Sequence, residues 1–366
     1  MVDRVKELLA AGQSIWLDFL GRDLIQSGEL QRLVDAGHLT GITSNPSIFN
    51  KAITGSDLYA ADIEQLAARG VRDGYEAFLS LATKDIQTAC DTLLPVYRST
   101  DGADGLVSFE LPPGIEDDIE ASVSEAHRLR DLIDRPNLMI KVPGTDAGVE
   151  ILRRLIADGL NINQTLLFSV DVYERTAAAY IAGLEERAAR GADIAKVASV
   201  ASFFVSRVDT AVDDALPDSS PLRGKAAVAN ARHAYARFQE IFTGPRWEQL
   251  VAKGARVQRP LWASTSTKNP AYSDVLYVET LVAPDTVNTL PEPTLHAVLD
   301  HCPVARMSQQ EIDSSAQTLR ALADSGIDMT AVTDQLLVDG LAAFEKDFKS
   351  LLKAIEASLT AALAPA

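Results

Sequence analysis

The sequence predicts an α/β fold: a (β/α)8 TIM barrel with extra helices and a long C-terminal helix. Three observations predict it. Eight short apolar runs of strand length recur through the chain, each bounded by Gly, Pro, Asp or Asn. Longer amphipathic segments separate them, and that alternation implies parallel strands joined by right-handed crossovers. No GxGxxG follows the first run, so an open dinucleotide-binding sheet lacks support, whereas eight strands close into a barrel.

The opening MVDRVKELLAAGQSIW reads as a short amphipathic helix without the long apolar run or cleavage site of a signal peptide. SIWLDF at 14–19 is the first strand, followed by a helix over 28–36. GITSN at 41–45 is the second, followed by helical patterns over 57–69 and 74–94. GLVSFEL at 105–111 and LMIKVP at 138–143 are the third and fourth, each leading into a helix, over 116–134 and 147–157. NINQTLLF at 161–168 precedes a helix over 170–190, and KVASVASFF at 196–204 precedes one over 225–242. RPLWAST at 259–265 is the seventh strand, with a helix over 270–282, and DTVNTLP at 285–291 is the eighth. Two helical segments remain, 308–324 and 330–362. No Pro/Gly/Ser linker marks a boundary, so residues 1–366 read as one barrel domain. Its C-terminal helical extension, about 308–366, packs on the barrel, along a flank or as a lid over the mouth.

Composition narrows the function. A hydrophobic content of 47% suits a large core. The formal charge of −17 argues against nucleic acid and anionic membrane as partners, since both need a basic face. A local Arg or Lys pocket can still hold a small anion. The two cysteines, Cys90 and Cys302, form no CxxC, which suggests a reducing compartment and no structural zinc. No stretch reaches the roughly 18 apolar residues of a membrane span. The expectation is a cytoplasmic protein, monomer or homodimer, that acts on a small molecule.

Active sites of such barrels lie at the C-terminal ends of the strands. The first strand carries Asp18 there, the second Asn45, the third Glu110, the fourth Lys141, the fifth Asn163 and Thr165, and the sixth Ser202, with Arg207 just beyond. Each has a bland reading as a helix cap or turn former. Six successive strands with the same feature would aim all these groups at one spot.

The chemistry then depends on Lys141. Lysine is seldom buried unpaired, and this one sits between Ile140 and Val142. A nucleophilic lysine must lose its proton, and apolar walls favour that loss. Asp18 and Glu110 oppose it electrostatically, so their protonation belongs to the mechanism. The bland alternative is a structural ion pair with one of those acids. Lys196 also has apolar neighbours, but it opens its run, at the barrel end away from the site. None of the five histidines falls at a strand end, so a His-based metal site or a Ser-His-Asp triad has little support. The set suggests carbonyl chemistry through an iminium with no metal and no cofactor. Arg207 with Ser202 is the natural anion clamp; read alone, Arg207 fits a helix-surface salt bridge equally well.

TSNPSIF, FELPPG, MIKVPGT, NINQTLLFS and SFFVSRVD resemble the signature segments of transaldolases, and WASTSTKNP resembles the seventh-strand segment of one subgroup. The resemblance runs from about residue 13 to about 290. QSIW and SGELQRL also resemble transaldolases fused to a phosphoglucose isomerase, a partner for which this chain is too short. The resemblance implies Lys141 as the Schiff-base lysine and Asp18 as the acid/base of carbon-carbon cleavage. It implies that Glu110 works with Thr165 through a water. Asn45 and Asn163 would hold hydroxyls of the bound three-carbon unit, and Ser202 and Arg207 the phosphate. Many family members have a second arginine after the ASx of strand seven; here Lys268 supplies that charge or the pocket has only one. The implied reaction moves a dihydroxyacetone unit from sedoheptulose 7-phosphate to glyceraldehyde 3-phosphate, giving erythrose 4-phosphate and fructose 6-phosphate. The rivals are a class I fructose 6-phosphate aldolase and a catalytically silent sugar-phosphate-binding barrel.

Overall fold

The structure, a computed structural model, describes residues 3–363. Eight parallel strands close into a barrel in sequence order: β1 (Gln13–Leu17), β2 (Gly41–Thr43), β3 (Leu106–Glu110), β4 (Leu138–Pro143), β5 (Asn161–Leu167), β6 (Ser199–Phe204), β7 (Arg259–Ala263) and β8 (Thr286–Leu290). All eight apolar runs hold a strand. The runs overreach mainly at their ends, so Asp18 and Asn45 lie just past β1 and β2. Closure joins β1 to β8 along five register pairs, from Gln13 with Thr286 to Leu17 with Leu290. No edge is left for another chain to pair with.

Register decides which groups can meet. Glu110 pairs with Lys141 across β3–β4, and Lys141 with Asn163 across β4–β5, so the three share one layer. Beyond it β5 carries a bulge: its register shifts between Gln164 and Leu167, and Leu166 takes a left-handed φ of 57°. A bulky residue there is strained, and such strain concentrates at functional rims.

Two helix expectations need correction. The helix read over 74–94 runs from Gly74 to Ser99, through Pro95. Pro95 is exposed, so the carbonyl it leaves unpaired can meet water. The helix read over 270–282 shrinks to Leu276–Glu279. Turns at Asn269 and Ser273 precede it, and the Tyr272 and Tyr277 hydroxyls donate to buried Asp213 and Asp209 at 2.6 and 2.8 Å. Those side-chain bonds hold a loop where periodicity suggested a helix.

The tail splits in two. Gln309–Asp324 opens with a capping box at Ser308 and Glu311 and lies against Ala226–Ile241 on the flank. Met329–Ala361 packs on Pro46–Thr54, Gly74–Ser99 and Ser206–Ala215 and touches β5. Phe348 anchors it edge-on to Phe78, with ring centroids 5.6 Å apart. Ser47 donates to Asp347, tying it to the helix that follows β2. Gly340 lets this helix come close, because a Cβ there would lie 3.1 Å from Leu166 and 3.6 Å from an Arg207 guanidinium nitrogen.

Candidate active site

A cavity of about 130 Å³ opens at the C-terminal end of the barrel. Asp18, Asn45, Lys141, Thr165, Ser202, Arg207 and Lys268 all line it. Phe344, from the C-terminal helix, forms part of the wall. Glu110 and Asn163 are not on that wall; they lie buried behind Lys141 and Ser202.

Lys141 is 4% exposed. Its Nζ donates to the Ser44 carbonyl at 2.9 Å and lies 3.1 Å from Glu110 Oε2. The ion pair foreseen as the bland alternative is thus present as geometry. What sets this lysine apart is that its amine also faces the cavity. Lys196, the sequence control, is exposed in a turn before β6. Burial pushes the Glu110 carboxyl above the ordinary range; Lys141 pulls it back and Asp18 adds to the rise. Apart from that ion pair, neither Glu110 oxygen has a partner among the described residues, and neither has the Thr165 hydroxyl. Buried polar atoms left so must find a substrate or water oxygen.

Asp18 accepts a hydrogen bond from Thr43 Oγ1 at 2.7 Å. Burial raises its carboxyl above the usual range, opposed by Lys141, the Thr43 bond, Arg207 and Lys268 in that order. Asn45 has both of its readings at once. Its Oδ1 caps the helix Pro46–Thr54 by accepting from Ile48 N at 3.0 Å, and its side chain also lines the cavity.

Asn163 donates to Ser108 Oγ at 3.0 Å and accepts from Ser202 Oγ at 2.6 Å. Ser202's one proton is therefore committed to Asn163. As placed, Ser202 belongs with the amide in the barrel floor and has no proton to offer a phosphate, which revises the clamp read from the sequence.

Arg207 is the second residue of the helix Ser206–Ala215. Among the described residues it makes no ion pair, so the surface salt-bridge reading fails; its guanidinium lies 5.3 Å from the centre of the Phe204 ring. Burial lowers its pKa, and Asp18 opposes. A cation at a helix N-terminus is unfavourable by the helix dipole, but an anion bound there is not. Lys268 stands exposed at the rim and donates to Ser266 at 2.7 Å. Partial covering of its side chain and the charge of Arg207 push its pKa down. Ser264 brings this loop close: it takes φ 54°, its carbonyl accepts from Ser206 N at 3.0 Å, and its hydroxyl pairs with that of Ser206 at 2.9 Å.

Several wall residues escaped the sequence reading: Thr43, Thr289, Ser264 and Phe344. Thr289 was findable, because the strand-end rule applied to DTVNTLP points to it. Phe344 was not, since its helix has no strand-end position to betray it.

A barrel with a buried lysine aimed into the cavity at its C-terminal mouth is the architecture of lysine-dependent carbonyl chemistry. The chain belongs to the Transaldolase/Fructose-6-phosphate aldolase family, whose model matches residues 15–355. It is 48% identical to Transaldolase 2 of Nostoc punctiforme, covering 96% of each chain. It is 48% identical to a transaldolase of Acidothermus cellulolyticus over 98% of each, and 46% identical to one of Mycolicibacterium smegmatis over 97% of each. Among solved structures, the catalytic domain of a Pyrococcus furiosus chitinase aligns with 8% identity at a TM-score of 0.29, which carries no argument. Among the described residues no helix is long and apolar enough to cross a membrane.

Proposed function

We propose that this chain is a transaldolase that moves a dihydroxyacetone unit from sedoheptulose 7-phosphate to glyceraldehyde 3-phosphate through a Schiff base on Lys141. The observation that supports this best is the buried Lys141 amine between Glu110 and the cavity, with an unpaired Arg207 on the same wall. Lys141 attacks the ketone carbon of the ketose phosphate, and Glu110, whose burial makes it a ready proton acceptor, takes the ammonium proton first. Glu110, with Thr165, then helps water leave the carbinolamine to give the iminium. Asp18 takes the proton of the C4 hydroxyl, the C3–C4 bond breaks, and its electron pair flows into the iminium to form an enamine. The short aldehyde phosphate leaves. The enamine carbon then attacks the incoming aldehyde, Asp18 returns its proton, and water hydrolyses the new iminium. Asn45 holds a hydroxyl of the three-carbon unit, Asn163 fixes Ser202 from behind the wall, and Phe344 helps keep water from the enamine.

The experiment that tests the assignment compares two outcomes with fructose 6-phosphate as donor. Transfer to erythrose 4-phosphate, with little free dihydroxyacetone, is expected; free dihydroxyacetone as the main product would make the chain an aldolase.

In this reading Arg207 and Lys268 bind the phosphate. Arg207→Met is expected to raise KM for the phosphorylated ketose roughly 10- to 100-fold, the worth of charge-assisted hydrogen bonds. The same change removes a partly buried cation that makes no ion pair among the described residues, so the variant should melt at a higher temperature. Titration calorimetry with inorganic phosphate and a melting curve check both signs; unchanged KM would move the phosphate site elsewhere.

A further inference from the structure

Thr43 and Thr289 lie in β2 and at the end of β8, and both are 2% exposed. Their hydroxyl oxygens are 2.7 Å apart, and Thr43 Oγ1 is also 2.7 Å from Asp18 Oδ1. A threonine hydroxyl has one proton. While Asp18 is ionised, Thr43 must give its proton to the carboxylate, so the short contact with Thr289 requires Thr289 to donate to Thr43. The chain runs one way: Thr289 to Thr43 to Asp18 Oδ1.

Reversal is penalised. If Asp18 carried its proton on Oδ1, Thr43 would accept it and turn its own proton to Thr289. The Thr289 proton would then have no protein acceptor among the described residues and would have to turn from a nearly buried hydroxyl towards the cavity. A buried donor left unmatched is costly. Oδ1 is thereby kept as an acceptor, and the exchangeable proton is confined to Oδ2.

We propose that Thr289 is a positioning residue that, through Thr43, restricts the proton Asp18 exchanges with substrate to Oδ2. The inference rests on the acid/base reading of Asp18. Donated hydrogen bonds polarise one another, so Thr289 also makes Thr43 a stronger donor and holds Asp18 more acidic. Lys141 on β4, Glu110 on β3, Arg207 and Lys268 face the same carboxylate, and all four stay in place when Thr289 is changed.

The test is Thr289→Val, which keeps the shape and deletes the donor, beside Thr289→Ser, which keeps the donor. Thr289→Val should lower kcat about tenfold with KM unchanged. The acid limb of its kcat/KM profile should move up by roughly half a pH unit. Thr289→Ser should retain the wild-type profile. A Thr289→Val enzyme with wild-type kcat and pH profile overturns the inference, as does equal loss in both variants, which would mean packing alone. Asp18→Asn separates the two levels: if it too keeps full turnover, the reading of Asp18 itself falls.

Discussion

Lys141→Met is expected to reduce turnover by more than about 10⁴-fold, because Lys268, the other amine on the cavity wall, stands exposed at the rim and bonded to Ser266, away from Glu110. Borohydride added with fructose 6-phosphate should raise the mass of the wild-type protein by one three-carbon adduct, located on Lys141. The variant should show none, and an adduct on Lys196 would sink the mechanism. The effect on the fold is separable and has a sign. Methionine fills the space but leaves Glu110 buried without its cation. Burial already raises the Glu110 carboxyl in the folded protein, and removing Lys141 takes away the largest opposing influence. A carboxyl whose folded pKa lies above its unfolded one favours folding fully below the unfolded pKa and loses that contribution as pH rises through the folded pKa. The variant should therefore melt closest to the wild type at acid pH and progressively lower as pH rises above the ordinary carboxylate range. Adding Glu110→Gln should remove most of that pH dependence. Turnover lost at every pH while stability is lost only at high pH distinguishes a catalytic lysine from a merely structural ion pair.

The contrast between what was and was not legible in the sequence follows from distance along the chain. Strand runs are local, so all eight could be read, and the strand-end rule brought out Asp18, Asn45, Lys141, Thr165 and Ser202, which share a cavity. Glu110 and Asn163 obeyed the rule yet sit behind the wall, because register places them beside Lys141 and within the packed layer. Thr43 and Thr289 are 246 residues apart, and only the β1–β8 and β1–β2 pairings bring them together beside Asp18. Ser202 was read as a phosphate ligand from its place at the end of the sixth strand, with Arg207 just beyond, and from the family resemblance; its commitment to Asn163 depends on the β5–β6 pairing. The left-handed backbone at Leu166 and Ser264 carries no local signature either, since neither residue is glycine or asparagine.

Asp18→Asn is expected to slow transfer by roughly 10²- to 10⁴-fold, the range for loss of a positioned acid/base. It should do so in a way that reveals the step. Asparagine can still accept the Thr43 hydrogen bond through its oxygen, but it cannot take the C4 hydroxyl proton. The Schiff base should form and cleavage should not. Borohydride should then trap the intact six-carbon phosphate on Lys141, where the wild type yields the three-carbon adduct. A three-carbon adduct at the wild-type rate would remove Asp18 from the cleavage step; no adduct at all would place it before the iminium. If Asp18 is the acid/base proposed above, electrostatics let one carboxylate serve both halves of the transfer. Lys141 is the largest influence holding Asp18 below the value its burial alone would set. In the proposed mechanism the iminium preserves that positive charge and so continues to favour the ionised, proton-accepting form of Asp18. Cleavage quenches the charge as the enamine forms, and Asp18 becomes more basic just after taking its proton. It then keeps the proton until an aldehyde arrives and the developing alkoxide reclaims it, while the restored iminium charge returns Asp18 to its ionised state. In this proposal the charge on the lysine nitrogen sets the timing of the aspartate's proton.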